Sequence, residues 1–339
     1  MKARRWALVL LASAVWVALR LTFNREYEGA PWDALVAGTA KLPFGHRVLV
    51  PWLVRPVVRA GVSVRSAFAV VEWLATAAAL TGVEAALRRF VAPRAAQLGA
   101  AAFFGVLGLA FLLPLRWPIF YPWDLPAIAC IAWGVALAQG RRHGALVVLA
   151  TVGAANRESA ILLPLVTVAL LVGTEERRQA LRSASLQLVG VVMMRMAIGA
   201  LLPMRKGGVV DLRVEGMWRI DHNLQWLSDP RQALVILGAF SLLPLLWWVV
   251  RPWMPIAVRR LELVLLPVMA GLMVVANVYE PRAWGEPLVL MFLGVVVGAA
   301  HWQSDATPPS EPSLPLLDRW GMPAVVAGLA LALVIWRVV

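Results

Sequence analysis

Long apolar runs separated by short basic turns dominate this sequence. Ten runs can be recognised, each bounded by charged or turn-forming residues: 6–19, 66–87, 96–115, 124–139, 144–173, 184–203, 232–250, 262–279, 286–301 and 321–338. A helix needs about 20 mostly apolar residues to cross the hydrocarbon core of a bilayer. The pattern therefore predicts an all-α, polytopic integral membrane protein.

The run 144–173 is long for one membrane helix and short for two, and it contains Asn156, Arg157 and Glu158 near its centre. We predict a hairpin of two short helices that meet at these residues, because irregular backbone is tolerated at membrane depth where protein buries it. This division gives ten to eleven transmembrane helices in a single membrane domain over residues 1–339.

Basic turns predict the orientation of the chain. With the hairpin counted as two passes, the basic segments 88–94, 141–143, 177–182 and 251–260 all fall on one side of the membrane. Cytoplasmic loops carry an excess of Lys and Arg. We therefore predict a multi-pass protein of the inner (plasma) membrane with a cytoplasmic N-terminus.

The remaining polar segments follow from this orientation. Segments 22–65 and 204–231 become outer loops, and the Pro- and Ser-rich stretch 302–320 becomes a cytoplasmic linker before the last helix. The run 6–19 follows a basic start, as in a signal peptide, but no small-residue cleavage site follows it, which indicates an uncleaved first helix. Arginines at positions 47, 55 and 59 lie among apolar residues, a pattern typical of a helix that lies in the membrane interface or of one that dips into the membrane with its arginines snorkelling.

Composition supports the membrane prediction and limits the chemistry. Of the 339 residues, 61% are apolar and 15% charged, against about 25% charged in a soluble domain. The net charge of +13 is attributed to orientation in the membrane, and no nucleic-acid partner is predicted. The single cysteine, Cys130, excludes an intrachain disulfide, and four scattered histidines have no zinc spacing. No cofactor is indicated, and a divalent metal is left open.

Ionisable residues near the predicted outer ends are the candidates for chemistry, because each costs about 2.5–3.5 kcal/mol at the bilayer centre. Asp33, in the first outer loop, is either a solvated acid or a catalytic base, with Glu28 as its substitute. Asp124 opens an apolar run and is either a helix N-cap or a site residue. Glu280 and Arg282 occupy a late outer turn, where they anchor the turn or bind a ligand.

Asn156, Arg157 and Glu158 have two interpretations as well. Arg157 and Glu158 form an internal ion pair that caps the second half-helix, or Arg157 holds a phosphate or sugar while Glu158 orients it. Arg195 is predicted to pair with an acid on another helix, with Glu72 and Glu84 as candidates.

Four short motifs resemble those of the GT-C type polytopic membrane glycosyltransferases and of the uncharacterised bacterial membrane proteins related to them. An acid-bearing first outer loop is followed by Pro-Phe-x-x-Arg-Val-Leu-x-Pro-Trp-Leu at 43–53. The other three motifs are Tyr-Pro-Trp-Asp at 121–124, Asn-Arg-Glu-Ser at 156–159 and Glu-Pro-Arg at 280–282.

The resemblance implies transfer of a sugar from a polyprenyl-phosphate-linked donor to an acceptor on the non-cytoplasmic face. It assigns the catalytic base to an acid of the GT-C-like first outer loop, here Asp33 with Glu28 second. On this hypothesis three arginines hold the donor phosphate and four neighbours orient them or bind sugar hydroxyls: Arg47, Arg157, Arg282, Asp124, Asn156, Glu158 and Glu280. The partners are the lipid-linked sugar, membrane lipids and an acceptor that the sequence does not identify.

Two other functions fit the same residues. A lipid or small-solute transporter, or flippase, would use them as a charged path through the membrane. A non-catalytic assembly protein would use them only for stability.

Overall fold

In the computed structural model of the chain, residues 2–113, 119–202 and 212–304 are described. They form fifteen α-helices: α1 (Lys2–Phe23), α2 (Trp32–Ala37), α3 (Leu49–Arg59), α4 (Val64–Leu87), α5 (Pro93–Leu112), α6 (Asp124–Gln139), α7 (His143–Asn156), α8 (Leu162–Leu171), α9 (Arg177–Leu201), α10 (Arg219–Ser228), α11 (Pro230–Ala239), α12 (Leu243–Val250), α13 (Ile256–Arg259), α14 (Glu262–Val275) and α15 (Gly285–Gln303). Short 3-10 turns lie at Phe44–His46, Glu158–Ile161, Arg251–Trp253 and Pro281–Trp284. Strands β1 (Arg213–Val214) and β2 (Met217–Trp218) pair as a two-stranded antiparallel hairpin. The all-α prediction is confirmed.

Five helical segments are long and apolar enough to cross a bilayer: Ala3–Phe23, Val64–Leu87, Pro93–Leu112, Arg177–Leu201 and Pro281–Gln303. The α11–α12 pair, bent by 72°, makes a sixth if it counts as one span. These helices support a membrane protein.

The other apolar runs form shorter helices. The longest of them, α6, has 16 residues, which is about 24 Å of helix against a hydrocarbon core of about 30 Å. Ten to eleven membrane crossings therefore stay a prediction. The run 321–338 and the linker 302–320, apart from its first three residues, lie outside the described residues.

The hairpin predicted over 144–173 is present. Helix α7 ends at Asn156, Arg157 has extended backbone (φ −158°, ψ 150°), and a 3-10 turn leads into α8. The far ends of the two helices meet, since Arg141 Nη1 lies 3.0 Å from Glu176 Oε1. Polar residues therefore break the run, and its two halves return to the same side.

The basic turns come together at one end of the molecule, which we call the basic end. There Arg5 of α1 pairs with Glu84 of α4 at 2.7 Å. The guanidinium of Arg89 lies against Gly140, and that of Arg260 lies against Gly173. The turns before α5, α7, α9 and α14 are thus neighbours, as the predicted topology requires.

Helix α6 is the centre of the bundle, with α4, α7, α8 and α15 packed around it. Glycine allows the closest approaches. At Gly134 of α6, a Cβ atom would lie 2.2 Å from Leu163 Cδ2 of α8. Helix α3 instead lies at the surface, with Val50 and Val54 buried and Leu53 and Val57 exposed. A helix was predicted for this segment, and its two-sided character fits an interfacial position.

Candidate functional site

Arginine and acidic side chains converge at the end of the bundle opposite the basic end. We call this group the arginine cluster: Arg47, Arg157, Arg195, Arg282, Asp124, Glu158, Glu280 and Glu286. Five separate parts of the chain contribute to it, namely the first polar loop, the start of α6, the break between α7 and α8, helix α9, and the segment from the end of α14 to the first turn of α15. The fold therefore assembles one site from residues up to about 240 positions apart.

Arg157 occupies the centre of the cluster. Its Nη1 lies 3.2 Å from Glu286 Oε1 and 3.8 Å from Asp124 Oδ1. Its Nη2 donates a hydrogen bond of 3.4 Å to the carbonyl oxygen of Ala283, and Ser159 donates to the same Glu286 carboxylate. The break in the α7–α8 hairpin is thereby tied to the starts of α6 and α15.

Glu158 points to two other arginines. Its Oε2 lies 3.4 Å from Arg47 Nε, and its Oε1 accepts a hydrogen bond of 3.1 Å from Arg195 Nη2. The predicted pairing of Arg157 with Glu158 is therefore wrong, because each ion finds its partner on another element. The predicted partners of Arg195 are wrong as well, since Glu84 pairs with Arg5 and Glu72 lies beside Arg20.

The turn before α15 supplies the third part of the cluster. Arg282 donates to Glu280, and Asn277 donates a hydrogen bond of 2.6 Å to the other oxygen of that carboxylate. Arg219 of α10 in turn donates to the amide oxygen of Asn277. Glu280 and Arg282 are thus fixed in relation to each other rather than solvated separately.

Three aromatic rings separate Arg47 from Arg282, and we call them the aromatic panel: Phe44, Tyr121 and Trp123. The Tyr121 and Trp123 rings stack with centroids 4.9 Å apart, and Phe44 stacks on Tyr121 at 5.5 Å. Arg282 lies 4.2 Å from the Tyr121 centroid and Arg47 lies 4.9 Å from the Trp123 centroid. A guanidinium over an aromatic face is attracted by the ring quadrupole, so the panel positions both arginines.

Tyr121 contributes a hydroxyl group to this site. Burial raises the pKa of its hydroxyl above the ordinary value, against the opposing effect of Arg282. The hydroxyl consequently stays protonated at neutral pH.

A second chain of charges runs from the cluster into the bundle. Arg20 of α1 is fully buried, with Nη2 3.1 Å from Asp124 Oδ2 and Nη1 3.4 Å from Glu72 Oε1. Trp16 donates a hydrogen bond of 3.0 Å to the same Glu72 oxygen. These ion pairs show the role of Asp124, which was predicted to be either a helix N-cap or a site residue. It is the first residue of α6, without a capping hydrogen bond, and its carboxylate serves Arg20 and Arg157 instead.

Several buried polar atoms at the cluster have hydrogen-bonding capacity left over. Within the described part of the chain, Trp123 Nε1, Asn156 Oδ1 and Arg282 Nε are buried without a hydrogen-bond partner. Asn156 is held in place by a hydrogen bond of 2.9 Å from its Nδ2 to the Trp123 carbonyl. Because burial of such groups is costly unless they are paired, these atoms are suited to bind a ligand.

The charges of the cluster balance, with four arginines against four acids. Each guanidinium carries five N–H donors, and the acids use only some of them. The side chain of Glu158 is 39% exposed, whereas Asp124 and Glu286 are at 2% and 3%. The cluster therefore opens to solvent near Glu158. Among the described residues, no group of three His, Cys, Asp or Glu side chains is placed to hold a metal ion.

Comparison with known proteins gives no relative. No family model, curated protein or solved structure matches this chain.

The structure brings together the seven residues predicted to bind substrate: Arg47, Asp124, Asn156, Arg157, Glu158, Glu280 and Arg282. It does not bring the two predicted base candidates into contact with them. Asp33, in the first turn of α2, and Glu28, in the preceding loop, are both exposed. In residues 2–113, 119–202 and 212–304, neither forms an ion pair with an arginine of the cluster.

Sequence reasoning assigned no site role to Arg20, Glu72 and Glu286. A signal for Arg20 was available, because an ionisable residue inside a membrane span is expensive and therefore suggests a function. Arg20 directly follows the apolar run 6–19, so the pattern alone indicates only the end of the first helix. Glu286 lies at the start of a run and resembles an ordinary first-turn acid.

Proposed function

We propose that this chain is a polytopic glycosyltransferase of the inner membrane, with ten or eleven membrane helices and a cytoplasmic N-terminus. It would transfer a sugar from a polyprenyl-phosphate-linked donor to an acceptor on the non-cytoplasmic face, with a first outer loop of the GT-C kind. The observation that supports this proposal is the convergence of Arg47, Arg157 and Arg282 at the end opposite the basic turns.

The three arginines would hold the donor phosphate. A guanidinium pairs with phosphate oxygens through two parallel hydrogen bonds. Each of the three already has an acidic neighbour that fixes its direction: Glu158 for Arg47, Glu286 with Asp124 for Arg157, and Glu280 for Arg282. A site that is fixed before the ligand arrives loses less conformational entropy on binding.

The aromatic panel would position the arginines and would not bind the sugar. Trp faces are common platforms for sugar rings, but Tyr121 and Trp123 are buried and their faces are covered by Phe44 and the two guanidiniums. Sugar hydroxyls would instead meet Glu158, whose side chain is 39% exposed where the cluster opens to solvent.

Asp33 would be the general base, with Glu28 as the substitute. The base would remove the proton of the acceptor hydroxyl as the acceptor oxygen bonds to the anomeric carbon and polyprenyl phosphate leaves. Such a base must lie within hydrogen-bond reach of the hydroxyl. Both acids face solvent in the loop before α3, where a water-borne acceptor would approach.

A transfer assay tests this proposal. Purified protein would be incubated with a panel of polyprenyl-phosphate sugars, and the released polyprenyl phosphate would be quantified. We expect Asp33→Asn to abolish release of polyprenyl phosphate, because an amide cannot accept the proton. The control is Glu175→Gln, which changes an exposed acid at the basic end and should release polyprenyl phosphate as wild type does. Unchanged release by Asp33→Asn would remove Asp33 from this role. No release from any donor by folded wild-type protein would contradict the enzyme assignment.

A transporter is the second candidate, and the broken α7–α8 hairpin favours it. Charged groups at a helix break in the membrane are typical of transport sites, and the buried chain Glu72, Arg20 and Asp124 continues from this break. A Ser159→Cys variant in a Cys130→Ala background distinguishes the two. A transport path would make the new thiol reactive toward an impermeant reagent from both sides, whereas the enzyme would expose it from the outer side alone.

A further inference from the structure

We propose that helix α3 and the cavity beside it bind the phosphate headgroup of an anionic phospholipid of the bilayer. This site adjoins the donor site proposed above, because Arg47 also lines the cavity, but it does not depend on a transferase function.

A continuous recess follows one side of α3. A cavity of about 120 Å³ lies between α2, α3 and the end of α9, and among its lining residues are Phe44, Arg47, Trp52, Arg55 and Leu202. An open groove of about 440 Å³ continues outward and is lined by Trp52, Arg55, Pro56 and Arg59. Trp52 and Arg55 line both spaces, so the groove leads from the surface to Arg47.

Arg55 is held in place to face this recess. Its Nε donates a hydrogen bond of 2.7 Å to the carbonyl oxygen of Val36, at the end of α2. Its Nη2 lies 2.9 Å from the point where a Cβ atom of residue 38 would be, and Gly38 has a φ of +73°, a backbone conformation that disfavours a side chain there. The backbone of α2 thus leaves space for this guanidinium and fixes its direction.

The positive charge of α3 is not balanced by acids. Arg55 and Arg59 lie one turn apart on the same face of the helix, and like charges at this spacing repel. In the part of the chain that the structure describes, neither forms an ion pair with an acid, in contrast to the neutral arginine cluster. The recess therefore has the charge that complements a phosphate.

The apolar side of α3 indicates that the phosphate belongs to a lipid. At about 100° per residue, Leu53 and Val57 lie between the groove and the buried side of the helix. They are 58% and 45% exposed, and Trp52 is 41% exposed. Exposed apolar side chains beside cations and a Trp are the arrangement of a helix in the headgroup region. Acyl chains would contact Leu53 and Val57 while the phosphate lies between Arg55 and Arg59.

Lipid retention measured by native mass spectrometry tests this site. Wild type, Arg55→Gln/Arg59→Gln and the control Arg25→Gln/Arg231→Gln would each be titrated with phosphatidylglycerol and with phosphatidylcholine in neutral detergent. Arg25 and Arg231 are exposed arginines outside α3, so the control loses the same charge. We expect wild type and control to prefer phosphatidylglycerol about tenfold, and the α3 variant to lose most of this preference.

The proposal would be overturned by equal retention of both lipids by wild type, by unchanged preference in the α3 variant, or by retention of polyprenyl phosphate with no retention of phosphatidylglycerol. Inorganic phosphate in excess should not displace the lipid, since it has no acyl chains; full displacement would contradict a lipid site. If the double variant does not fold, Arg59→Gln replaces it, because Arg59 is exposed. The lipid titration contains no sugar donor, so its result does not depend on the outcome of the transfer assay.

Discussion

Arg20 shows how a single residue links three helices of this protein. It lies wholly inside the bundle between the carboxylates of Glu72 and Asp124, and its guanidinium is 4.6 Å from the Phe111 ring centroid. A buried ion is tolerated only when its partners are close. Arg20 therefore joins α1 to α4 and α6 next to the arginine cluster, which it contacts through Asp124.

We predict that Arg20→Met lowers the free energy of unfolding by about 3–5 kcal/mol, because two buried carboxylates lose their common partner. Unfolding midpoints in a mild detergent measure this effect. Arg65→Met, which changes an exposed arginine bonded to a carbonyl oxygen, is the control and should unfold close to wild type. Arg20→Met/Glu72→Gln should recover part of the loss. An Arg20→Met protein as stable as wild type would show that the buried pairs contribute nothing.

At the residue scale, sequence predicts which side chains matter better than it predicts their partners. Arg157 and Glu158 stand out because ions in the middle of an apolar run are expensive, and both do belong to the cluster. Their partners are not local, since Arg157 bonds to Glu286 at a separation of 129 residues and Arg195 reaches Glu158 across 37. Such pairs depend on helix packing, which a single sequence does not specify.

At the scale of elements, apolar periodicity locates helices well and their ends less well. The run 124–139 coincides with α6. The run 232–250 does not form one helix, because Ser241 and Leu242 adopt positive φ values of 54° and 55° and Pro244 lies in the first turn of the next helix. Proline is tolerated in the first turn of a helix but not in its interior, so Pro244 was a local signal for a new helix start here.

Helix α12, the second half of the bent α11–α12 pair, is held by one close contact. A Cβ atom at Gly294 of α15 would lie 2.1 Å from the Trp247 ring of α12. Trp247 also donates a hydrogen bond of 2.9 Å to Glu262, which pairs with Arg251 at 2.6 Å. The absence of a side chain at Gly294 thus lets α12 reach both α15 and the start of α14.

We predict that Gly294→Ala destabilises the protein by about 1–3 kcal/mol, the usual cost of overpacking a filled core. Its unfolding midpoint in detergent would be compared with that of Gly108→Ala, since no atom lies within 4 Å of a Cβ at Gly108. The control should match wild type or exceed it slightly, because alanine favours helix. Equal midpoints for the two variants would mean that Trp247 moves aside without cost.

At the scale of the whole molecule, charge is distributed between two dissimilar ends. The basic end has arginines at turns, including Arg141 and Arg142, which are exposed. The opposite end contains the arginine cluster, whose arginines are largely buried and paired with acids. Surface cations at turns are the positive-inside signal, whereas buried ion pairs are the signal of a site. The two kinds of arginine therefore lie at opposite ends of the molecule.

Cysteine labelling of intact cells and of inside-out vesicles tests this placement. In a Cys130→Ala background, Glu28→Cys and Arg142→Cys each introduce a thiol at an exposed position, one near the cluster and one at the basic end. We expect an impermeant maleimide to label the Glu28→Cys variant only in intact cells with permeable outer layers, and the Arg142→Cys variant only in inside-out vesicles. The reverse pattern would place the arginine cluster on the cytoplasmic face. Transfer to an outer acceptor would then be impossible, although the lipid site on α3 would still stand.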